Sequence, residues 1–127
     1  MKVRETGEHY LKCIFSLERG TGPATLEMVA SELGFSLPAV ERAVAVLQAN
    51  GQVEMSGEAV RLTESGRAAA VRIEGRCRLL ERLLAGVGVD PETAATDARR
   101  IEPILSQKAF RCLEAHLSPV RRQHTRP

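Results

Sequence analysis

TLEMVASELGFSLPAVERAVAVLQANG, residues 25–51, is the stretch whose reading decides the fold. Leu26, Val29, Ala30 and Leu33 recur at i, i+3, i+4 and i+7, which sets them along one face of a short helix. Gly34 supplies the left-handed position that stops it. Ser36 is suited to cap a second helix, with Pro38 tolerated in the first turn, where no intrahelical N–H is needed. Val40, Ala43, Val44 and Leu47 repeat the spacing, and Asn50-Gly51 ends it. Two short helices joined by a glycine-containing turn make a helix-turn-helix, whose second helix can enter a DNA major groove. A helical hairpin that only builds a core fits this stretch equally well. The flanking segments decide between them.

Downstream, Val53, Met55, Val60 and Leu62 alternate around Ser56-Gly57, which predicts a short β-hairpin. In that place a hairpin is the wing of a winged helix, lying beside phosphates or over the minor groove, and Arg61 is its one cation. Upstream, residues 6–19 read as a helix capped by Thr6, with Tyr10, Leu11, Ile14 and Leu17 as its buried face. Gly20-Thr21-Gly22-Pro23 breaks it. After the hairpin, Thr63 caps a long helix running to about Leu84. Its stripe is Ala69, Ile73, Cys77, Leu80 and Leu84, widened by Leu79 and Leu83, and so broad an apolar face invites a partner copy. Asp90-Pro91-Glu92 starts a further helix with an acidic cap and a carboxylate near the positive end of the dipole. Pro103 interrupts it, and Ser106 caps a last helix bearing Phe110, Leu113 and Leu117. Residues 118–127 hold Arg121, Arg122 and Arg126 with little apolar content and are expected to form a flexible basic arm.

A chain of 127 residues suits one domain, or a small domain with an accessory one. No apolar run approaches a membrane-spanning length and Met1-Lys2-Val3-Arg4 opens no signal sequence, so a cytoplasmic protein without membrane contact is expected. Three widely spaced cysteines, Cys13, Cys77 and Cys112, argue against a disulfide framework, and Cys112 is expected to be packed. Catalytic chemistry has no foothold. There is no Ser/His/Asp, Cys/His or paired-carboxylate arrangement and no glycine-rich phosphate loop, so neither an enzyme nor a small organic substrate is expected. Charge is unevenly placed. Residues 1–66 carry six Lys and Arg against nine Asp and Glu, a net charge of −3, whereas residues 67–127 carry twelve against seven, a net +5. A DNA-binding half with net negative charge must place its few cations well, because phosphate neutralisation supplies most non-specific affinity.

The segments EHYLKCIFSLE, VASELGFSLPAVERAVAVLQANGQVE, VRLTESGRAAA, CRLLERLLAGVGVDPE and ARRIEPILS follow one another with few gaps. Together they resemble the diphtheria-toxin-repressor and manganese-repressor family of metal-dependent transcription regulators over roughly residues 5–117. LTESGR combined with RLLERLL and GVDPE is the specific part. The resemblance implies a mainly α fold: a winged helix-turn-helix DNA-binding domain with a small β-hairpin wing, here residues 1–66, then a helical dimerisation domain, residues 67–117. It implies the shorter, two-domain type, without the SH3-like third domain of longer members. It also implies a homodimer bound to double-stranded DNA. The DNA-facing positions are Ser36, Pro38, Ala39, Glu41 and Arg42 on the second helix, with Arg61 on the wing. Arg42 is the one side chain there able to make a bidentate contact with guanine, and Glu41 can accept from cytosine N4 while repelling phosphates. The competing reading is a winged helix repurposed for protein contacts, with the acidic N-terminal half as its sign.

The metal site that the resemblance implies is altered in this sequence. Where the first helix normally offers Asp or Met stands His9, and where a carboxylate can follow stands Lys12. The long-helix histidine is replaced by Cys77. On the next helix a Glu or Cys position is Arg99, the following Glu is kept as Glu102, and the adjacent His is Pro103. The ancillary site keeps Glu81, but its own histidine is replaced by Ala95. Two readings stand. In one, His9, Cys77 and Glu102, with Cys13 and Glu81 as further candidates, form a remodelled site favouring zinc, cobalt, nickel or iron over manganese. In the other the site is lost, Lys12 and Arg99 act as metal-replacing cations, and Glu102 pairs with Arg99 at i, i+3.

Overall fold

The computed structural model describes residues 3–117, with side chains described from Gly7 onward. The basic arm expected at 118–127 lies outside the described residues. In chain order the elements are α1 (Val3–Gly20), β1 (Ala24–Thr25), α2 (Leu26–Leu33), α3 (Leu37–Ala49), β2 (Val53–Ser56), β3 (Ala59–Leu62), α4 (Glu64–Gly86), α5 (Pro91–Ile101) and α6 (Gln107–Leu117). The described residues divide into two compact units, one ending at Ile73 and one beginning at Glu74. Among them no helix is long and apolar enough to cross a membrane.

The first unit is a winged helix, and local capping explains most of its boundaries. Thr25 Oγ1 accepts from the Met28 N–H at 3.2 Å and opens α2. Gly34, at φ 72° and ψ 29°, closes it, a conformation that a side chain would strain. Ser36 Oγ accepts from the Ala39 N–H at 3.3 Å and opens α3. Between and around these helices lie Tyr10, Leu11, Ile14 and Phe15 of α1, Val29, Val40, Val44 and Leu47, and Ala69, Ala70 and Ile73 of α4. Ile14, Val29 and Val40 are fully buried, worth about 1.5–3 kcal/mol each. The Tyr10 ring packs at a tilt on Phe35, centroids 5.9 Å apart.

The sheet has three antiparallel strands in the order β1-β3-β2, one more than the hairpin expected. β1 is only two residues long, too short to show a period, and it pairs Ala24 with Val60 of β3. Val53, Val60 and Leu62 of the hairpin are buried as the alternation predicts, but Met55 near its tip is 36% exposed. A second difference lies in α1, which begins at Val3, so position 6 falls inside the helix and not at its start.

One acidic side chain ties the wing to α1. Glu18 Oε2 accepts the Leu62 N–H at 3.2 Å, and Oε1 lies 3.6 Å from Arg67 Nη2. Glu18→Ala strips a part-buried N–H of its acceptor and is expected to cost about 1–3 kcal/mol. Urea unfolding measures this; a midpoint unchanged from wild type would remove Glu18 from the framework.

The second unit packs the C-terminal part of α4 with α5 and α6. Leu79, Leu80, Ala98 and Phe110 form its core, and Leu83, Ile101, Leu105, Leu113 and Leu117 pack against them. Its caps are those the sequence indicates. Asp90 Oδ2 accepts from the Thr93 N–H at 3.0 Å, which also holds its carboxyl below the ordinary range, and Ser106 Oγ accepts from the Ala109 N–H at 3.1 Å. Cys112, expected to be packed, is exposed on α6.

Candidate functional site

The candidate residues form two sets, one on α3 and the wing of the first unit and one, the implied metal ligands, divided between the two units. In the first, the cap Ser36 and Pro38, Glu41, Arg42 and Ala45 of α3 are exposed to solvent, while Ala39 is half-buried. Val40, Val44 and Leu47 occupy the opposite face and are buried, so packing fixes which residues look outward. Arg42 lies near enough to α1 for its charge to act on Tyr10. Burial is the main cause raising the Tyr10 hydroxyl above its usual pKa, the charge of Cys13 adds to it, and Arg42 pulls it back. On the wing Arg61 is exposed, and its strand partner across the ladder is Glu54. Opposite charges facing each other on a sheet attract, which tempers the field that Arg61 offers a phosphate. Glu58, in the turn between the strands, is exposed as well.

The residues implied as metal ligands fall in both units. His9, Lys12 and Cys13 lie on α1 in the first; Cys77, Glu81, Arg99 and Glu102 lie in the second. His9 and Lys12 are half-buried and Cys13 is buried. Burial, with the charge of Glu32 adding to it, pushes the Cys13 thiol up to about 11, which disfavours the thiolate a metal needs. Within neither unit do three His, Cys, Asp or Glu side chains of the described residues gather as a metal site.

The second unit also corrects the expected ion pair. Glu102 is buried at 2% exposure, and the cation on it is Arg76, whose Nη1 lies 3.6 Å from Glu102 Oε2. Arg99, in the last turn of α5, is exposed and is not the partner, although it stands at the i, i+3 spacing. Arg76 is the functional candidate that sequence reasoning missed. Its pairing joins α4 to the end of α5, twenty-six positions apart, and no local spacing signals that. The Arg76 guanidinium also sits over the Phe110 ring of α6, 4.7 Å from its centroid. A guanidinium between a buried carboxylate and an aromatic face is pinned on both sides. The donor set of the second unit therefore fits a built-in monovalent cation better than a divalent metal.

Comparison with known proteins gives the family. Residues 63–127 match the model of the iron dependent repressor metal binding and dimerisation domain. The iron-dependent repressor IdeR of Mycobacterium tuberculosis is 33% identical over 111 residues, covering 86% of this chain and 48% of the relative. The chain thus spans about half the length of the curated iron-dependent repressors it matches. The transcriptional regulator MntR of Escherichia coli O6:H1 is 34% identical over 108 residues, covering 84% of this chain and 70% of the relative. Among solved structures, a manganese-dependent transcriptional repressor in complex with manganese superposes with a TM-score of 0.80 at 28% identity, covering 88% of this chain and 52% of that one. With its winged helix, its LTESGR and RLLERLL segments and these matches, the chain belongs to the metal-dependent repressor family of diphtheria toxin repressor, IdeR and MntR.

Proposed function

We propose that this chain is a DNA-binding transcription regulator that acts as a homodimer in the cytoplasm. Residues 1–66 would read DNA, and residues 67–117 would dimerise and house an atypical sensor site. The observation that carries the reading is the joint exposure of Ser36, Pro38, Glu41 and Arg42 on α3 and of Arg61 on the adjoining wing. Dimerisation is supported by the description of the matched domain, and regulation by the names of the relatives.

Arg42 carries the base-reading role, because its fork of N–H donors matches guanine O6 and N7. Arg61 has the phosphate role, weakened by Glu54 across the ladder. Arg42→Ala is expected to cost ~1–3 kcal/mol at the guanine it reads and to relax preference at that position. Arg61→Ala is expected to weaken binding to all sequences about equally and to lower the salt slope by about one. Sequence selection from a genomic library, followed by anisotropy titrations at several salt concentrations, measures both.

A second reading is favoured by the exposed carboxylates of Glu41 on α3 and of Glu54 and Glu58 on the wing, within a half of net charge −3. It makes the winged helix a protein-contact module. Failure of the wild-type protein to enrich any sequence would select it.

A further inference from the structure

We propose that Arg76 is a covalent substitute for the divalent metal at Glu102, so that the second unit holds its sensor glutamate neutralised without any metal ion. This deepens the regulator reading above and rests on it for its consequence on DNA. Glu102 is the one carboxylate among the described residues that is both buried and charged-paired at 2% exposure, and it closes α5, its N–H donating to Ala98 O at 2.9 Å. A buried carboxylate is costly unless a cation is held close to it. Arg76 is that cation, at 3.6 Å, with its side chain only 20% exposed and its Cζ 4.7 Å from the Phe110 ring centroid.

The three residues come from α4, α5 and α6, one from each helix of the unit. A metal ion joins helices by gathering their side chains around one charge, and this cluster does so with a guanidinium whose charge is part of the chain. Glu102 Oε2 accepts no hydrogen bond among the described residues, and the guanidinium at 3.6 Å compensates it as an ion pair. A dication drawn to that oxygen would sit beside a fixed positive charge in poorly screened surroundings. The neighbouring positions do not help it. Arg99 and Arg100 add cations at the end of α5, Ala95 and Pro103 offer no donor side chain, and Cys77 is buried on α4.

The test uses the full chain, purified without chelator. Metal content is measured after desalting, and thermal unfolding is followed in EDTA and with added Mn(II), Co(II), Zn(II) and anaerobic Fe(II). The expected result is substoichiometric metal and a Tm that none of these additions moves. Arg76→Met is expected to lower Tm by about 10 °C or more, because it leaves a buried carboxylate unpaired. Adding Glu102→Gln to Arg76→Met should restore most of that loss, which a purely packing role for Arg76 would not allow. Should Arg76→Met fail to fold, the double variant carries the test: melting near wild type supports the substitution, and failure to fold overturns it. One equivalent of metal in the wild type, whose removal lowers Tm and whose binding Glu102→Gln abolishes, would also overturn it. These readouts need no DNA, so a protein that selects no sequence leaves them intact. A wild type that binds a selected sequence but loses it about tenfold in EDTA sinks the substitution while keeping the regulator.

Discussion

Gly66→Ala is expected to lower the melting temperature of the first unit by about 10 °C or more, or to leave it unfolded. Gly66 lies in the first turn of α4 and is buried. A Cβ there would overlap the Gln52 carbonyl oxygen and stand 2.9 Å from the Gln52 carbonyl carbon and 3.3 Å from its Cα. All three are backbone atoms, so no side chain can swing aside. Relief requires the start of α4 to lift from the turn after α3. That motion breaks the bonds that Thr63 makes there: its N–H to Gln52 O at 3.0 Å and its hydroxyl to Gly51 O at 2.7 Å. Overpacking costs about 1–3 kcal/mol and each lost hydrogen bond about 1 kcal/mol, against a total stability of ~5–15 kcal/mol. Helix propensity acts in the opposite direction, since Ala in a helix is worth about 1 kcal/mol over Gly. The sign of the effect therefore decides. Gly75→Ala in the same helix, where an added Cβ meets nothing within 4 Å, is expected to raise stability by about 0.5–1 kcal/mol. A Gly66→Ala protein melting at or above wild type would show that α4 does not clamp the wing in this way.

What was legible in the sequence is what local chemistry controls. Ser36, Thr63, Asp90 and Ser106 all cap as their positions predict, because a capping side chain reaches an N–H only a few residues away. Gly34 stops α2 for the same local reason. Tyr10, Leu11 and Ile14 of α1 and Val40, Val44 and Leu47 of α3 are buried as read, while Leu17 and Ala43 are half-buried. The α4 stripe, read as a surface for a partner copy, buries Ala69, Ile73, Cys77 and Leu80 within the chain itself. β1 was not legible: its pairing is with a strand thirty-odd positions downstream, and Ala24-Thr25 carries no alternation to betray it. Thr6 misled because a capping residue type is also tolerated inside a helix, at a cost of up to about 0.7 kcal/mol relative to Ala. The candidate site shows the same division. Which residues of α3 face outward follows from its buried stripe. Which cation meets Glu102 does not, because Arg99 has the right spacing on one helix while Arg76 has the right geometry across two. An i, i+3 pair at the exposed end of α5 would gain only a few tenths of a kcal/mol, whereas a buried carboxylate needs its partner inside.

Leu80→Asp is expected to unfold the second unit and, with it, to abolish the homodimer proposed above. From the stripe alone the residue suits either a partner's surface or the chain's own core. The structure places it at 5% exposure in a cluster with Leu79, Ala98 and Phe110 of the same chain, so the fold is what it supports directly. The change removes a buried leucine, worth about 1.5–3 kcal/mol, and sets a carboxylate among apolar side chains at an effective penalty of several kcal/mol. A unit with so small a core rarely has more than ~3–5 kcal/mol of stability to lose. Together the two terms exceed it. Circular dichroism should then show a partial loss of helix, with the first unit still melting cooperatively, and sedimentation should show a monomer. A contrasting change at the surface separates core from interface: Ile104→Asp, at 66% exposure, should leave the melting profile within about 0.5 kcal/mol of wild type. If Leu80→Asp instead keeps full helix content and native melting while losing only the dimer, Leu80 faces a second copy and the core assignment is wrong.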